Sequence, residues 1–363
     1  MKALVFVTDG FGNRGGIALF NQQMLRLLRE HPLIDGVVVV PRSRAISDRV
    51  PPDYDYRLGA SAGALPFLRE TFKALIRTPG VGLVVCGHIN LLPAAGVAAI
   101  LRRVPLLLMI HGVEGWKKPE RLLTRIFVKR VQRVLAVSQV TRKRFLSWSA
   151  MAPERVTVIL NAVDMAAYGL GEKPGYLLRR YGLNRKKIIL TMGRMEACEK
   201  AKGFDQVLQI MPDLVKEDPS IRYVLVGDGD DRARLQQRAR ELGLDSLAVF
   251  TGWVTEDEKA DHFRLSDAYV MPSRMEGFGY VLVEAMACGV PVVGSRIDGA
   301  IDALDGGRLG QVVDPDDLEE LKVAVHRALK LPKQIPEGLS RFSLDNYRRA
   351  FHSLIDELCV ARI

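Results

Sequence analysis

The chain has 363 residues, 48% hydrophobic and 26% charged, with a formal net charge of +10. That is too long for one core of ordinary size, so two domains are expected, and the composition is that of a soluble globular protein whose apolar stretches are too short to cross a bilayer. Cys86, Cys198, Cys288 and Cys359 are scattered, without a C-x-x-C pair or a histidine at zinc-ligand spacing, which excludes a disulfide framework and a metal cluster.

The charge is uneven. From Met1 to Asp164 there are 24 Lys and Arg against 11 Asp and Glu, and the remainder has 28 against 31. A basic surface favours a polyanion; without interleaved aromatics or a nucleic-acid module, an anionic membrane surface is the expected partner and nucleic acid is not. The chain enters a strand-like run at once, without a basic start, greasy stretch and small-residue cleavage site, so a cytoplasmic location, peripheral at the inner face of the membrane, is expected.

The first strand candidate, "ALVFVT", leads into "TDGFGNRGGIALF". Here Gly10, Gly12 and Gly15 fit the G-x-G-x-x-G spacing of a dinucleotide-binding turn. One reading is therefore an NAD(P)-dependent oxidoreductase or a nucleotide-sugar epimerase. A nicotinamide site needs an acid about 20 residues on for the ribose, and "VVVVPRSR" offers none, although Arg42 or Arg44 suits a 2′-phosphate.

Short Val/Ile/Leu-rich runs then alternate with helical patterns, the mark of βαβ units and a parallel sheet covered on both faces. "GVVVVP", "GLVVCG", "VPLLLMIHG", "RVLAVS" and "VTVILN" complete the first half; "KIILTMG", "RYVLVGDG", "LAVFTGW", "DAYVMPS", "VPVVGS" and "GQVVD" make up the second. Six strands in each predict a pair of Rossmann-like domains. The joint is placed between Asn161 and about Lys186, with helices resuming only after it. The expected domains are 1–164 with 345–363, and 165–344. In such sheets ligands bind beyond the carboxyl ends of the strands, so the strand exits are where chemistry is sought.

"PERLLTRIFVKRVQRV" reads as a helix placing Arg121, Arg125, Lys129 and Arg133 in one column, beside Leu122, Leu123, Ile126, Phe127 and Val131. It is either a sheet-packing helix with a solvated basic face or a patch for anionic lipid. After "KIILTM", Arg194 sits at the strand exit and Lys202 opens a helix; two cations beside a helix N-terminus suit a pyrophosphate. The acidic "GDGDD" at 227–231 reads as a turn and helix cap rather than a metal motif.

After "DAYVMPS" comes "RMEGFGYVLVEAMACGVPVVGS". Glu276 precedes Gly277, Phe278 and Gly279, whose glycines let backbone N–H groups approach a ligand, and Glu284 lies within an otherwise apolar helix, where a carboxylate needs a partner. A helix throughout would set the two backbones about 12 Å apart, whereas paired carboxylates of retaining glycosidases lie about 5–5.5 Å apart. Separate duties on one extended ligand are expected. The terminal "LDNYRRAFHSLIDELCVARI" reads as a helix with Tyr347, Phe351, Leu354, Ile355 and Leu358 on one face.

"EGFGYVLVEAMACGVPVV", with its E-x7-E spacing, closely resembles the signature of the retaining GT-B glycosyltransferases of group 1. The likeness runs over nearly the whole chain, through "GGIALF", "IHGVEGW", "AVSQVTRKRF", "VILNAVD", "MGR" with "KGFD", "VGDGDDRARL", "FTGWV" and "FSLDNYRRAF". It implies an α/β GT-B fold, two Rossmann-like domains facing across a cleft with the last helix crossing back to the first. The first domain is implied to serve the acceptor and the second the donor.

The implied donor is a nucleotide diphosphate sugar, a UDP-hexose or GDP-mannose, used without cofactor or metal; the acceptor is a saccharide or lipid-linked. By resemblance Arg194 and Lys202 hold the diphosphate, Glu284 the ribose, and Glu276 with the Gly277–Gly279 amides the sugar. Gly252, Trp253 and Val254 lie along the base, Gly15 and Gly16 against the donor phosphates, and His111 beside the sugar. His111 also has a plainer reading, as a histidine satisfied by backbone. The family's G-G-x-P-E after the "VVGS" strand is replaced by "RIDGAIDAL", so no contact is carried onto that loop.

Overall fold

The structure is a computed structural model describing residues 1–12, 15–43 and 50–360, without the side chains of 198–200 and 360. Arg44 thus lies outside the described residues, as does the side chain of Cys198. The chain divides into two compact units, Met1–Asn161 with the terminal helix from Asp345, and Ala162–Leu344.

The first unit runs β1 Lys2–Val7, α1 Gly16–Glu30, β2 Gly36–Pro41, β3 Asp55–Tyr56, α2 Ala64–Arg77, β4 Val81–Cys86, α3 Leu92–Arg102 and β5 Leu106–Ile110. It continues with α4 Val113–Trp116, α5 Leu122–Val128, β6 Arg133–Ala136, α6 Gln139–Ser149 and β7 Val156–Val158. The second contains α7 Gly175–Tyr181, β8 Lys187–Met192, α8 Phe204–Glu217, β9 Ile221–Val226, α9 Arg232–Glu241, β10 Ala248–Gly252 and α10 Glu256–Leu265. It ends with β11 Ala268–Met271, α11 Tyr280–Ala287, β12 Val292–Ser295, α12 Ala300–Ala303, β13 Gln311–Val313 and α13 Leu318–Ala328, after which α14, Leu344–Val360, closes the described chain.

Both sheets are parallel, ordered β3-β2-β1-β4-β5-β6-β7 and β10-β9-β8-β11-β12-β13. Their central strands are buried, apart from Lys187 at the start of β8, because helices cover both faces and leave no side for polar residues. In the first unit Leu4, Phe6, Val84 and Leu108 face a core filled from α2, α3, α5 and α6. Right-handed crossovers put α1, which links β1 to β2 in the opposite direction, on the other face. There α14 joins it: Tyr347 meets Phe20 at 6.3 Å between ring centroids, and a ring nitrogen of His352 lies 3.0 Å from the Leu27 carbonyl. The five apolar residues expected on one face of this helix are all buried.

Three local readings are corrected. The first sheet has a seventh strand, β3, two residues long and paired to Val38 and Val39. Within 161–186, α7 forms around the buried Leu177, so helix structure begins before Lys186. The basic column does not exist: α5 stops at Val128, Arg121 and Lys129 flank it, and Arg133 begins β6. A helix continuing past Val128 would deprive the sheet of an inner strand. Among the described residues, no helix is long and apolar enough to cross a membrane.

Candidate functional site

In the second sheet β8 lies between β9 and β11. The chain leaves β8 in one direction through β9 and β10, then returns to β11 and proceeds the other way. The carboxyl ends of β8 and β11 therefore form the topological switch point, where open parallel sheets bind ligands. Beneath it the buried hydroxyls are satisfied: Tyr223 donates to Thr191 Oγ1 at 2.8 Å, Thr191 to the Val270 carbonyl at 2.5 Å, and Tyr269 to the Met192 carbonyl at 3.2 Å. Such a network fixes the three strand ends relative to each other.

Arg194 follows β8 and pairs with Glu196 at 2.8 Å, its side chain about half exposed at 49%. Lys202 ends a short 3-10 turn before α8, and its Nζ lies 2.5 Å from Glu276 Oε2, from the loop after β11. Gly203 joins them at φ 82; a Cβ there would fall 2.6 Å from Pro272 Cδ. Only glycine allows the start of α8 to approach the β11 exit so closely. The structure thus brings Lys202 and Glu276 into contact, with Arg194 on the same strand exit.

The segment from Glu276 to Glu284 is not helical throughout: α11 begins at Tyr280, with Gly279 before it at φ 98. The two carboxylates have different partners. Glu284 is 2% exposed; its Oε1 accepts from Lys259 Nζ of α10 at 2.7 Å. Its Oε2 has no hydrogen-bond partner among the described residues. Tyr168 lies near enough to feel this charge: burial first, then Glu284, pushes its hydroxyl well above the usual range. Gly252 ends the edge strand β10, two places from β8, and is followed by exposed Trp253 and half-buried Val254.

The acidic turn is a turn, but not a side-chain cap. Asp231 stands before α9 without a capping bond. It pairs instead with Arg234, which also forks onto Asp205 at 2.7 Å for both bonds. Asp228 pairs with Arg232, and Asp230 accepts from the Ala197 backbone.

Sequence reasoning passed over Asp298 in the loop after β12. Its fully buried carboxylate accepts from Ser273 Oγ and the Glu276 backbone N–H, both at 2.8 Å, and from Ala300 N–H at 3.0 Å. Gly299 N–H closes the clasp on the Glu276 carbonyl at 2.8 Å. A Cβ on Gly299 would lie 2.0 Å from the Gly277 carbonyl oxygen. Burial, reinforced by the Glu276 charge, pushes the Asp298 carboxyl up to about 6. The signal available was an acid beside glycine at a strand exit. Lys259 gave none, being one of several charges on its helix.

In the first unit, Gly15 precedes α1 at φ 145 and Gly16 begins it, both exposed; α1 has no side-chain cap and no acid in its first turn. The Gly12 N–H donates to Asp9 Oδ1 at 2.8 Å, and the Gly10 carbonyl accepts from Gln22. His111, at the exit of β5, has Nε2 2.7 Å from the Gly87 carbonyl and its ring edge-on to Phe20 at 4.6 Å. That contact places the proton on Nε2. The plainer reading of His111 and a role at the ring's other face are compatible in this geometry.

Two Rossmann-like parallel-sheet domains with a terminal helix packed on the first constitute the GT-B fold of glycosyltransferases. A family model described as Glycosyl transferases group 1 matches residues 179–342, and one described as Glycosyltransferase Family 4 matches 14–167. The chain belongs to the group 1 glycosyltransferases.

It is 28% identical to a GDP-mannose-dependent alpha-(1-6)-phosphatidylinositol monomannoside mannosyltransferase of Mycolicibacterium smegmatis, over 95% of this chain and 94% of that protein. It is 27% identical to a D-inositol 3-phosphate glycosyltransferase of Geodermatophilus obscurus, over 95% and 85%. Among solved structures, Anabaena HepE in complex with UDP has a TM-score of 0.78 at 20% identity, covering 98% of this chain and 100% of that one. Sucrose-phosphate synthase from Thermosynechococcus elongatus has 0.76 at 19%, covering 99% and 100%. The activity is that of a glycosyltransferase.

Proposed function

We propose that this glycosyltransferase moves a hexose, glucose or mannose, from a UDP-hexose or GDP-mannose to a saccharide or lipid-linked acceptor, with retention of configuration and without metal or further cofactor. Its product belongs to a cell-surface glycan or glycolipid. The observation that carries the reading is the contact of Lys202 with Glu276 at the switch point, beside Arg194 and the start of α8. Nucleotide sugars also stand in the names of relatives and neighbours: GDP-mannose in that of the mannosyltransferase, and UDP-glucose in the description of another HepE complex.

In this reading Arg194 and Lys202 take the diphosphate. The diphosphate competes with Glu276 for Lys202, and binding releases that carboxylate to the sugar hydroxyls, together with the Gly277, Phe278 and Gly279 amides. Glu284, with one oxygen on Lys259, offers the other to the ribose. Gly252, Trp253 and Val254 line the base. The Gly15 and Gly16 amides are assigned to the donor phosphates and His111 to the sugar, on the family likeness. In the transfer step the bond from the anomeric carbon to the diphosphate oxygen breaks. A bond to the acceptor oxygen forms on the same face, and the acceptor proton passes to the departing phosphate. Charge grows on that phosphate, so cations aimed at it stabilise the transition state more than the ground state.

Lys202→Ala or Glu276→Ala is expected to lower nucleoside diphosphate release by about 10²–10³, with the thermal unfolding transition retained. Unchanged turnover in either folded variant overturns the site assignment. The anomeric proton signals of the product read the configuration, and turnover in excess chelator reads the metal requirement.

A further inference from the structure

We propose that the outer face of the layer formed by α2, α3 and α5 is a docking surface for an anionic lipid bilayer. The three helices cover the same side of the first sheet and share its core. Helix α3 touches both neighbours, and Phe127 of α5 lies so close to Gly96 of α3 that a Cβ there would meet its ring.

Helix α2 is apolar on its outer face as well as on the inner one, where Phe67, Ala74 and Leu75 are buried in the core. Glu70 and Thr71 are buried, while Leu65, Leu68, Phe72 and Ile76 are exposed, Leu65 to 79% and Phe72 to 62%. Their spacing of three, four and four residues sets them in one stripe along the helix. Thr71 satisfies its hydroxyl on the Phe67 carbonyl at 2.8 Å, and Glu70 is met by Lys73 at 2.7 Å. The inward polar groups are thus paired, and the outward apolar ones are on the surface.

The neighbouring helices extend the stripe. Between Leu92 and Leu101, α3 carries no charged residue, and Val97, Ile100 and Leu101 are exposed. In α5, Thr124 is buried while Leu122, Leu123 and Ile126 are exposed. Single exposed apolar residues are ordinary on a monomer; a run of them across three adjoining helices marks an interaction surface.

Charge identifies the occupant. From Ala64 to Arg130 there are 11 Lys and Arg against 3 Asp and Glu. Of the acids, Glu70 is paired as described and Glu114 accepts from the His111 backbone. Arg69, Arg77, Arg121, Lys129 and Arg130 are exposed around the apolar stripe. A second copy of the chain would bring this basic rim against itself, whereas a bilayer with anionic headgroups meets both features: the apolar side chains enter the acyl boundary and the cations remain among the phosphates. The basic column expected from the sequence is absent as a helical row, yet two of its residues, Arg121 and Lys129, flank α5 as part of this rim, whereas Arg133 pairs with Glu357.

Flotation with phosphatidylcholine vesicles, with and without about 30 mol% phosphatidylglycerol, tests the surface. The full chain is expected to float with the anionic vesicles, less so as salt rises, and not with the neutral ones. Phe72→Ser and Leu123→Ser, on separate helices, are each expected to reduce partitioning by about tenfold. Both should leave donor turnover in solution unchanged, which separates this surface from the donor site. Replacing Arg121 and Lys129 by Glu is expected to remove the preference for anionic vesicles. Absence of flotation at low salt, or apolar variants that float as well as the parent, overturns the proposal. So does sedimentation as a dimer that Phe72→Ser dissociates, which would assign the face to a second copy.

Discussion

Asp298 holds the loop that bears Glu276, and it does so as a fully buried carboxylate. Three donors favour its ionised form, yet burial outweighs them and leaves the carboxyl at about 6. In the unfolded chain an aspartate titrates near 3.9. From about pH 4 to pH 6 the unfolded chain therefore loses this proton while the folded one keeps it, so stability falls as pH rises through that window. The cost reaches about 3 kcal/mol once both states are ionised. Asp298→Asn removes this dependence: the stability of the parent relative to the variant, measured by denaturant unfolding, is expected to decline between these pH values and stay level above them. A difference that does not change with pH would mean that the group titrates alike in both states.

At the scale of elements, α8 depends on one glycine. Gly203 sits at φ 82 with no room for a Cβ against Pro272, so Gly203→Ala meets both backbone strain and a clash. A loss of about 2–4 kcal/mol is expected, read as a lowered denaturation midpoint at constant slope. Donor turnover should fall with it, because Lys202 is the preceding residue. Elements also show where the sequence was legible. Twelve strands could be read because parallel strands buried on both faces are continuous apolar runs. β3 could not, since Asp55 and Tyr56 have no pattern of their own and pair only because Val38 and Val39 are adjacent. In α7, "GYLLRRY" is two turns with a single buried anchor, Leu177, too short for a helical period to stand out.

For the whole molecule, the donor reading predicts linkage between binding and stability. A nucleotide sugar that binds the folded chain at a hundredfold excess over its Kd should stabilise it by about 2.7 kcal/mol. A thermal-shift series with UDP-glucose, GDP-mannose, UDP-N-acetylglucosamine and NADPH is expected to show a rise with one of the sugar nucleotides and none with NADPH. A rise with NADPH alone would restore the oxidoreductase reading of Gly10, Gly12 and Gly15.

The sequence by itself determined the class of the sheets, the family frame, and the segments after β8 and β11 in which Arg194, Lys202, Glu276 and Glu284 stand, because these follow from local periodicity and from residues near one another in the chain. Tertiary structure alone decided which groups meet. Lys202 reaches Glu276 across 74 residues, Glu284 is held by Lys259, and Asp298 clasps a loop 22 residues before it. It also decided that Leu65, Phe72 and Leu123 face outward. An apolar residue at helical spacing reads the same whether its face meets a core or the surface; only the placement of neighbouring elements determines which side is covered.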